Sequence, residues 1–189
     1  MYSDNELFDI LNEKGEKTGQ TMPRGEVHRT GALHGSVHIW VIRRRLEGSE
    51  VLLQKRAHDK DSYPDCYDAA STGHIDAGED SLAAAVREVG EELGLKVSPS
   101  ELISLFKQRV REDNVFRGKR FINNEICQVY LLRRSIRDKE LNFEREEISE
   151  LKWFGAEQLT ELLKENTEGF CVDIEEFQEV LSCAESLLK

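Results

Sequence analysis

The sequence predicts an α/β fold in which a mixed β-sheet lies between helices. Short apolar runs rich in β-branched and aromatic residues recur between turn residues along most of the chain. One strongly periodic helix interrupts them at residues 80–93, and two further helical patterns close the chain. Strands on both sides of a central helix, with helices at the end, suit a layered α/β architecture better than a bundle or an all-β barrel.

Taken in order, Leu7 to Leu11 reads as a strand and Asn12 to Gly15 as a turn. Pro23 to His28 can open a short helix. Val37 to Ile42 and Val51 to Lys55 are strands around a loop from Arg43 to Glu50. A loop from Asp59 to Cys66 follows, then a short strand from Asp68 to Ser71. Asp80 or Ser81 can cap the central helix, and Gly94 can stop it in the left-handed region. Leu82, Val86, Val89 and Leu93 form one apolar stripe along it. Leu102 to Val110 and Phe121 to Leu132 pair across a polar connection, and Leu151 to Phe154 is the last strand. Ala156 to Glu165 and Asp173 to Leu188 are helical. In the last helix Ile174, Phe177, Val180, Leu181, Ala184 and Leu188 share a face suited to core packing, with homodimer formation the alternative use.

A chain of 189 residues fits one domain over residues 1–189, with 1–35 as an N-terminal extension packed on it. The net charge of -11 argues against non-specific binding to nucleic acid or to an anionic membrane. No apolar run reaches the length of a membrane helix, and the polar start MYSDNELFD is unlike a signal or transit peptide. Cys66, Cys127, Cys171 and Cys183 are scattered, which reads as free thiols in a reducing, cytoplasmic setting.

The most informative stretch is Gly73 to Leu95, GHIDAGEDSLAAAVREVGEELGL. On a helix, Glu88 and Glu92 lie one turn apart with Glu91 beside them, in a sector away from the apolar stripe. Like charges so spaced destabilise a helix, and a divalent cation reverses that penalty. Oxygen-only ligands on a rigid element suit Mg2+ or Mn2+ rather than zinc. Gly73 and Gly78 allow close approach of backbone to a ligand. Glu79 and Arg87 are spaced for an ion pair that fixes the loop against the helix, with Arg87 projecting away from the three glutamates as an orienting residue. Such a site serves phosphoryl chemistry: cations neutralise a diphosphate and activate a water, and a nearby carboxylate takes its proton.

The same stretch matches G-x5-E-x7-R-E-U-x-E-E-x-G-U, with U aliphatic, at every defined position. Seven fixed identities coincide by chance at roughly one window in 10^9 at typical residue frequencies. The chain therefore resembles the Nudix hydrolases, over about Ser36 to Lys164. The resemblance implies a Nudix-type α/β/α sandwich with a mixed sheet. It also implies metal-dependent cleavage of a diphosphate bond in a nucleoside diphosphate or derivative, a small-molecule substrate. Glu88, Glu91 and Glu92 would bind metal, with the Gly73 carbonyl. Glu91 or Glu125 would serve as base, Glu92 completing the catalytic set.

The flanks are similar to the branch related to isopentenyl-diphosphate isomerase. Leu7 to His34 resembles its leader, and Arg56 and Lys60 its diphosphate-gripping pair, the alternative being exposed bases at a strand end. His28, His34 and His74 fall near that enzyme's three metal-binding histidines, which implies a second, histidine-containing metal site; ordinary hydrogen-bonded histidines are the alternative. Alternation puts Asn123, Glu125 and Cys127 on one strand face.

Against isomerase activity itself, Thr72 stands where the isomerase has its catalytic cysteine, and a hydroxyl replaces a thiol poorly. The Gly73–Leu95 motif, the Nudix box of the resemblance, keeps all three helix glutamates, Asn123-Asn124-Glu125 keeps one of two strand carboxylates, and no tryptophan follows Trp153. Isomerisation, or hydrolysis of an isoprenoid diphosphate, is the alternative reading. The proline or tyrosine that marks ADP-ribose or dinucleoside-polyphosphate hydrolases is missing around Gln108 to Arg111. The basic run from Arg109 to Arg120 reads as a solvated hairpin or, alternatively, as a phosphate contact.

Overall fold

A computed structural model describes residues 6–143, 145–165 and 167–187. The start of the N-terminal segment and Leu188 lie outside the described residues.

The chain opens with a hairpin of β1 (Leu7–Leu11) and β2 (Lys17–Pro23). Asn12 forms its turn by accepting from the Lys14 and Glu16 amides, and Gly15 takes φ 77°. β2 has no apolar alternation, so the sequence hides it; pairing with β1 makes it a strand. Helix α1 (Arg24–Thr30) starts after Pro23 and stops at Gly31 in the left-handed region.

β3 (His34–Arg45) is the central strand. It pairs antiparallel with β4 (Gly48–Arg56) along its second half. Along its first half it lies between β6 (Ser71–His74), antiparallel, and β8 (Lys119–Leu132), parallel. The expected single strand at 68–71 is two strands. β5 (Tyr67–Ala69) pairs with β4 and β6 with β3, so the chain changes partner at Ala70. β7 (Leu102–Phe116) and β9 (Ile148–Gly155) complete a mixed sheet of seven strands among the described residues.

The polar connection expected between β7 and β8 is itself strand. Pairing runs out to Phe116 opposite Lys119 and turns on Arg117-Gly118, both at positive φ. That is the two-residue turn whose twist suits a hairpin. The loop expected from Arg43 to Glu50 shrinks in the same way, with Arg45 opposite Gly48.

Alternation along β3 serves both faces. Val37, Ile39 and Val41 pack with Ala84, Ala85, Val89 and Leu93 of α2 (Ser81–Leu93). Trp40 and Ile42 pack on the other face with Leu159 of α3 (Ala156–Lys164) and Phe177, Val180 and Ala184 of α4 (Ile174–Leu187). The apolar face of α4 is thus core. The result is an α/β/α sandwich, as the strand order predicts. Among the described residues no helix is long and apolar enough to cross a membrane.

Candidate metal and diphosphate site

Helix α2 is fixed at both ends. The Asp80 carboxylate accepts from the Leu82 and Ala83 amides, and Gly94 closes the helix at φ 67°. Glu88 and Glu92 emerge one turn apart and are buried, at 6% and 3% exposure, whereas the Glu91 side chain is 56% exposed. Glu92 accepts from the Thr72 amide at 2.9 Å and from Gln54 Nε2 at 3.3 Å. Glu88 lies so close to Gly73 that a Cβ there would overlap its carboxylate. Burial pushes both carboxyls above their ordinary range, and for Glu88 the neighbouring Glu92 charge adds to it.

Arg87 pairs with Glu79 through Nε and Nη2 and donates to the His74 carbonyl at 2.9 Å. It does not project away from the glutamates. Its Nη1 reaches Glu88 at 2.7 Å and Glu91 at 3.2 Å. Projection along a helix places Cβ atoms, and a guanidinium several bonds further out bridges to the next sector. Arg87 therefore ties loop and helix together and neutralises part of the carboxylate cluster.

β8 is an internal strand, so Glu125 is no edge charge; it is 5% exposed. It accepts from Ser36 Oγ at 2.9 Å and faces His74 Nε2 at 3.1 Å and His34 Nε2 at 3.3 Å. Burial alone would raise its carboxyl; the two histidines outweigh that and hold it well below the usual range. His28, His34 and His74 offer ring nitrogens within 4.8 Å of one another. Burial drives His28 down to about 2 and His74 to about 3, so both are neutral imidazoles. Arg24 Nη1 donates to His74 Nδ1 at 3.0 Å, which puts the His74 proton on Nε2, toward Glu125. His34 donates from Nδ1 to the Ala32 carbonyl, and its Nε2 faces the Glu125 carboxylate. Both His28 nitrogens and His34 Nε2 are buried without a hydrogen-bond partner among the described residues. A proton or a cation completes such a set.

These groups border one pocket. Gly73, Glu125, Arg56, Lys60, Tyr63 and His38 line it, and Glu88 and Glu92 stand behind its Thr72-Gly73 wall. Arg56 is held by Asp68 at 3.4 Å and by Ser62, and Lys60 is paired with Glu147. Both bases are thus oriented rather than loose, and burial lowers the Lys60 ammonium. Tyr63 sits at φ 47° and Asp65 at φ 62°, a locally strained loop beside the pocket. Arg109 and Arg120, by contrast, pair with Glu13 and Asp113 outside the pocket.

A family profile for the NUDIX domain matches residues 32–170. The chain belongs to the Nudix family. Nudix hydrolase 3 of Arabidopsis thaliana is 38% identical over 87% of this chain, which spans about a fifth (21%) of that protein. An uncharacterised Nudix hydrolase of Clostridium acetobutylicum is 31% identical over 88% of this chain and 78% of its own. An isopentenyl-diphosphate isomerase of Aliivibrio fischeri is 29% identical over 88% of this chain and 90% of its own. Among solved structures, a Deinococcus radiodurans protein superposes with a TM-score of 0.69 at 21% identity, covering 92% of this chain and 98% of that one. That similarity concerns the fold.

In this Nudix chain the structure brings Gly73, Glu125, Arg56 and Lys60 to one pocket, sets Glu88 and Glu92 behind its Thr72-Gly73 wall, and leaves Glu91 exposed. Sequence reasoning passed over Gln54, Ser36 and Arg24, which hold Glu92, Glu125 and His74. Ser36 had a signal, since it shares a strand face with His34. Gln54 and Arg24 had none, because tertiary pairing alone brings them in.

Proposed function

We propose that the chain is a divalent-cation-dependent hydrolase of the diphosphate bond in a nucleoside diphosphate or derivative. The observation that carries this reading is the buried pair Glu88 and Glu92, one helical turn apart against the Gly73 backbone. Two carboxyls held above their ordinary range by burial are a donor set that a hard cation would satisfy. Glu88, Glu91, Glu92 and the Gly73 carbonyl would hold Mg2+ or Mn2+. Bound there, the cation would neutralise the diphosphate and acidify a bound water so that a nearby carboxylate can take its proton. Arg56 and Lys60, which line the same pocket as Gly73, would orient the diphosphate, and Arg87 with Glu79 would keep the loop before α2 in register with it.

Glu91 is the better base of the two candidates. Its carboxylate is exposed, whereas Glu125 is committed to Ser36 and two histidines and so is a weak proton acceptor. The deciding experiment is a panel of diphosphate compounds with Mg2+ or Mn2+, read out for phosphate, pyrophosphate and nucleotide. Glu92→Gln should lower turnover by about 10^2-fold or more with the fold intact. Near-wild-type turnover in that variant would overturn the metal-site assignment.

A second reading, isomerisation or hydrolysis of a small isoprenoid diphosphate, is favoured by the three histidines around Glu125 and by the isomerase relative. A second cation would complete that set. Thr72 weighs against isomerisation: its amide serves Glu92 and its hydroxyl accepts from Gln54 at 3.3 Å, with no thiol at that position. Isopentenyl diphosphate should release phosphate or pyrophosphate if consumed; dimethylallyl diphosphate without phosphate would decide for the isomerase.

A further inference from the structure

The catalytic pocket occupies the first half of β3. The far end of the same strand carries a different concentration of charge. Arg43, Arg44 and Arg45 close β3, Arg133 and Arg134 follow β8, and Arg137 comes three residues later. The parallel register that sets Trp40 beside Leu131 delivers both groups to one edge of the sandwich. All six line a single open cavity of about 520 Å³, in a chain of net charge -11. From His38 to Arg44 is six residues of strand, about 20 Å, so this cavity is separate from the catalytic pocket.

The charges do not balance locally. Glu50 serves Arg43 and Arg45, Asp138 serves Arg43, and Glu140 serves Arg134 and Arg137; Glu101 reaches Arg134 only at 4.0 Å. Four carboxylates thus face six guanidiniums. Arg44 and Arg133 are both exposed, and no carboxylate among the described residues pairs with either. The others are held in place: Arg43 lies 3.6 Å from the centre of the Trp153 ring, and Arg134 donates to the Lys96 carbonyl. A surface built only for solubility spreads or pairs such charges, since clustered cations repel one another. Here a fixed rim surrounds two guanidinium forks that pair with no carboxylate among the described residues.

We propose that this cavity is a second, non-catalytic site for a polyphosphate chain, free or as part of a nucleotide. Guanidinium forks match phosphate oxygens bidentately, and a volume of this size accommodates a small molecule. A long nucleic acid fits the observations less well, because the acidic remainder of the surface would repel it.

Calorimetric titration of the full chain with tripolyphosphate in excess EDTA tests this without any catalytic turnover. Wild type should bind, and Arg44→Ala/Arg133→Ala should bind at least about tenfold more weakly, with unchanged melting temperature and unchanged basal turnover. Arg44→Lys/Arg133→Lys keeps the charge without the fork and should fall between the two. Arg56→Ala, in the catalytic pocket, should bind as wild type does. A nucleoside triphosphate that binds as tightly as tripolyphosphate would show that the chain of phosphates suffices; tighter binding would show that the nucleoside is also recognised. The site is overturned if wild type shows no binding at millimolar tripolyphosphate, if the alanine pair binds equally well, if Arg56→Ala abolishes binding, or if a short RNA binds through the same two arginines more tightly.

Discussion

A methyl group at position 73 would occupy space already filled by the Glu88 carboxylate. Gly73 is therefore required less for backbone freedom than for the absence of a side chain. Gly73→Ala should displace Glu88 and lower turnover by about 10^2-fold, since misplacing a catalytic group by about an ångström costs that much. A cation titration of turnover checks it, and full activity in the variant would show that Glu88 is not held by this contact. The two candidate bases separate by substitution. Glu91→Gln should lower kcat by about 10^2-fold or more, whereas Glu125→Gln should lower it less. The glutamates were legible because their spacing is itself the chemistry. The contacts that set their environment were not: Gln54 lies 38 residues from Glu92, and Ser36 lies 89 from Glu125.

At the scale of elements, helix α4 is fastened by one buried carboxylate. Glu176 accepts from Trp40 Nε1 at 2.7 Å, from His38 Nδ1 at 2.9 Å and from Gln108. Burial alone would raise its carboxyl; His38, Trp40 and Gln108 hold it below the usual range. A depressed carboxyl stabilises the fold above its unfolded value, and that contribution is lost as pH falls through the folded one. Glu176→Ala removes the shared acceptor of an imidazole, an indole and an amide and should cost about 3–5 kcal/mol in equilibrium denaturation. A loss well under 1 kcal/mol would mean that apolar packing of Phe177 and Val180 suffices to seat the helix. The apolar face of α4 could be read from its spacing, but Glu176 on the neighbouring face could not, since its partners lie on β3 and β7. The same limit applies to β2 and the outer half of the β7–β8 hairpin. Their residues are largely polar, and cross-strand pairing decides their conformation.

Across the whole molecule, the sandwich places its acids and bases in distinct regions: carboxylates between α2 and β6, histidines around Glu125, and arginines at the far end of β3. The first of these stores a cost. Glu88 and Glu92 are buried beside each other, and among the described residues Arg87 is the base that pairs with Glu88. A ligand that binds only the folded chain stabilises it by about 2.7 kcal/mol at one hundred times its Kd. For a chain of this size that is a melting temperature higher by about 5–10 °C. Mg2+ should produce that shift in wild type, because imidazole is a poor ligand for it and the carboxylates are the matching donors. Glu88→Gln/Glu92→Gln should melt higher than wild type without cation, since the repulsion is gone, and should lose the Mg2+ response. Mn2+ accepts imidazole more readily, so a residual Mn2+ shift in that double variant, removed by His34→Gln, would assign a second cation to the histidines. No residual shift would confine cation binding to the glutamates of α2.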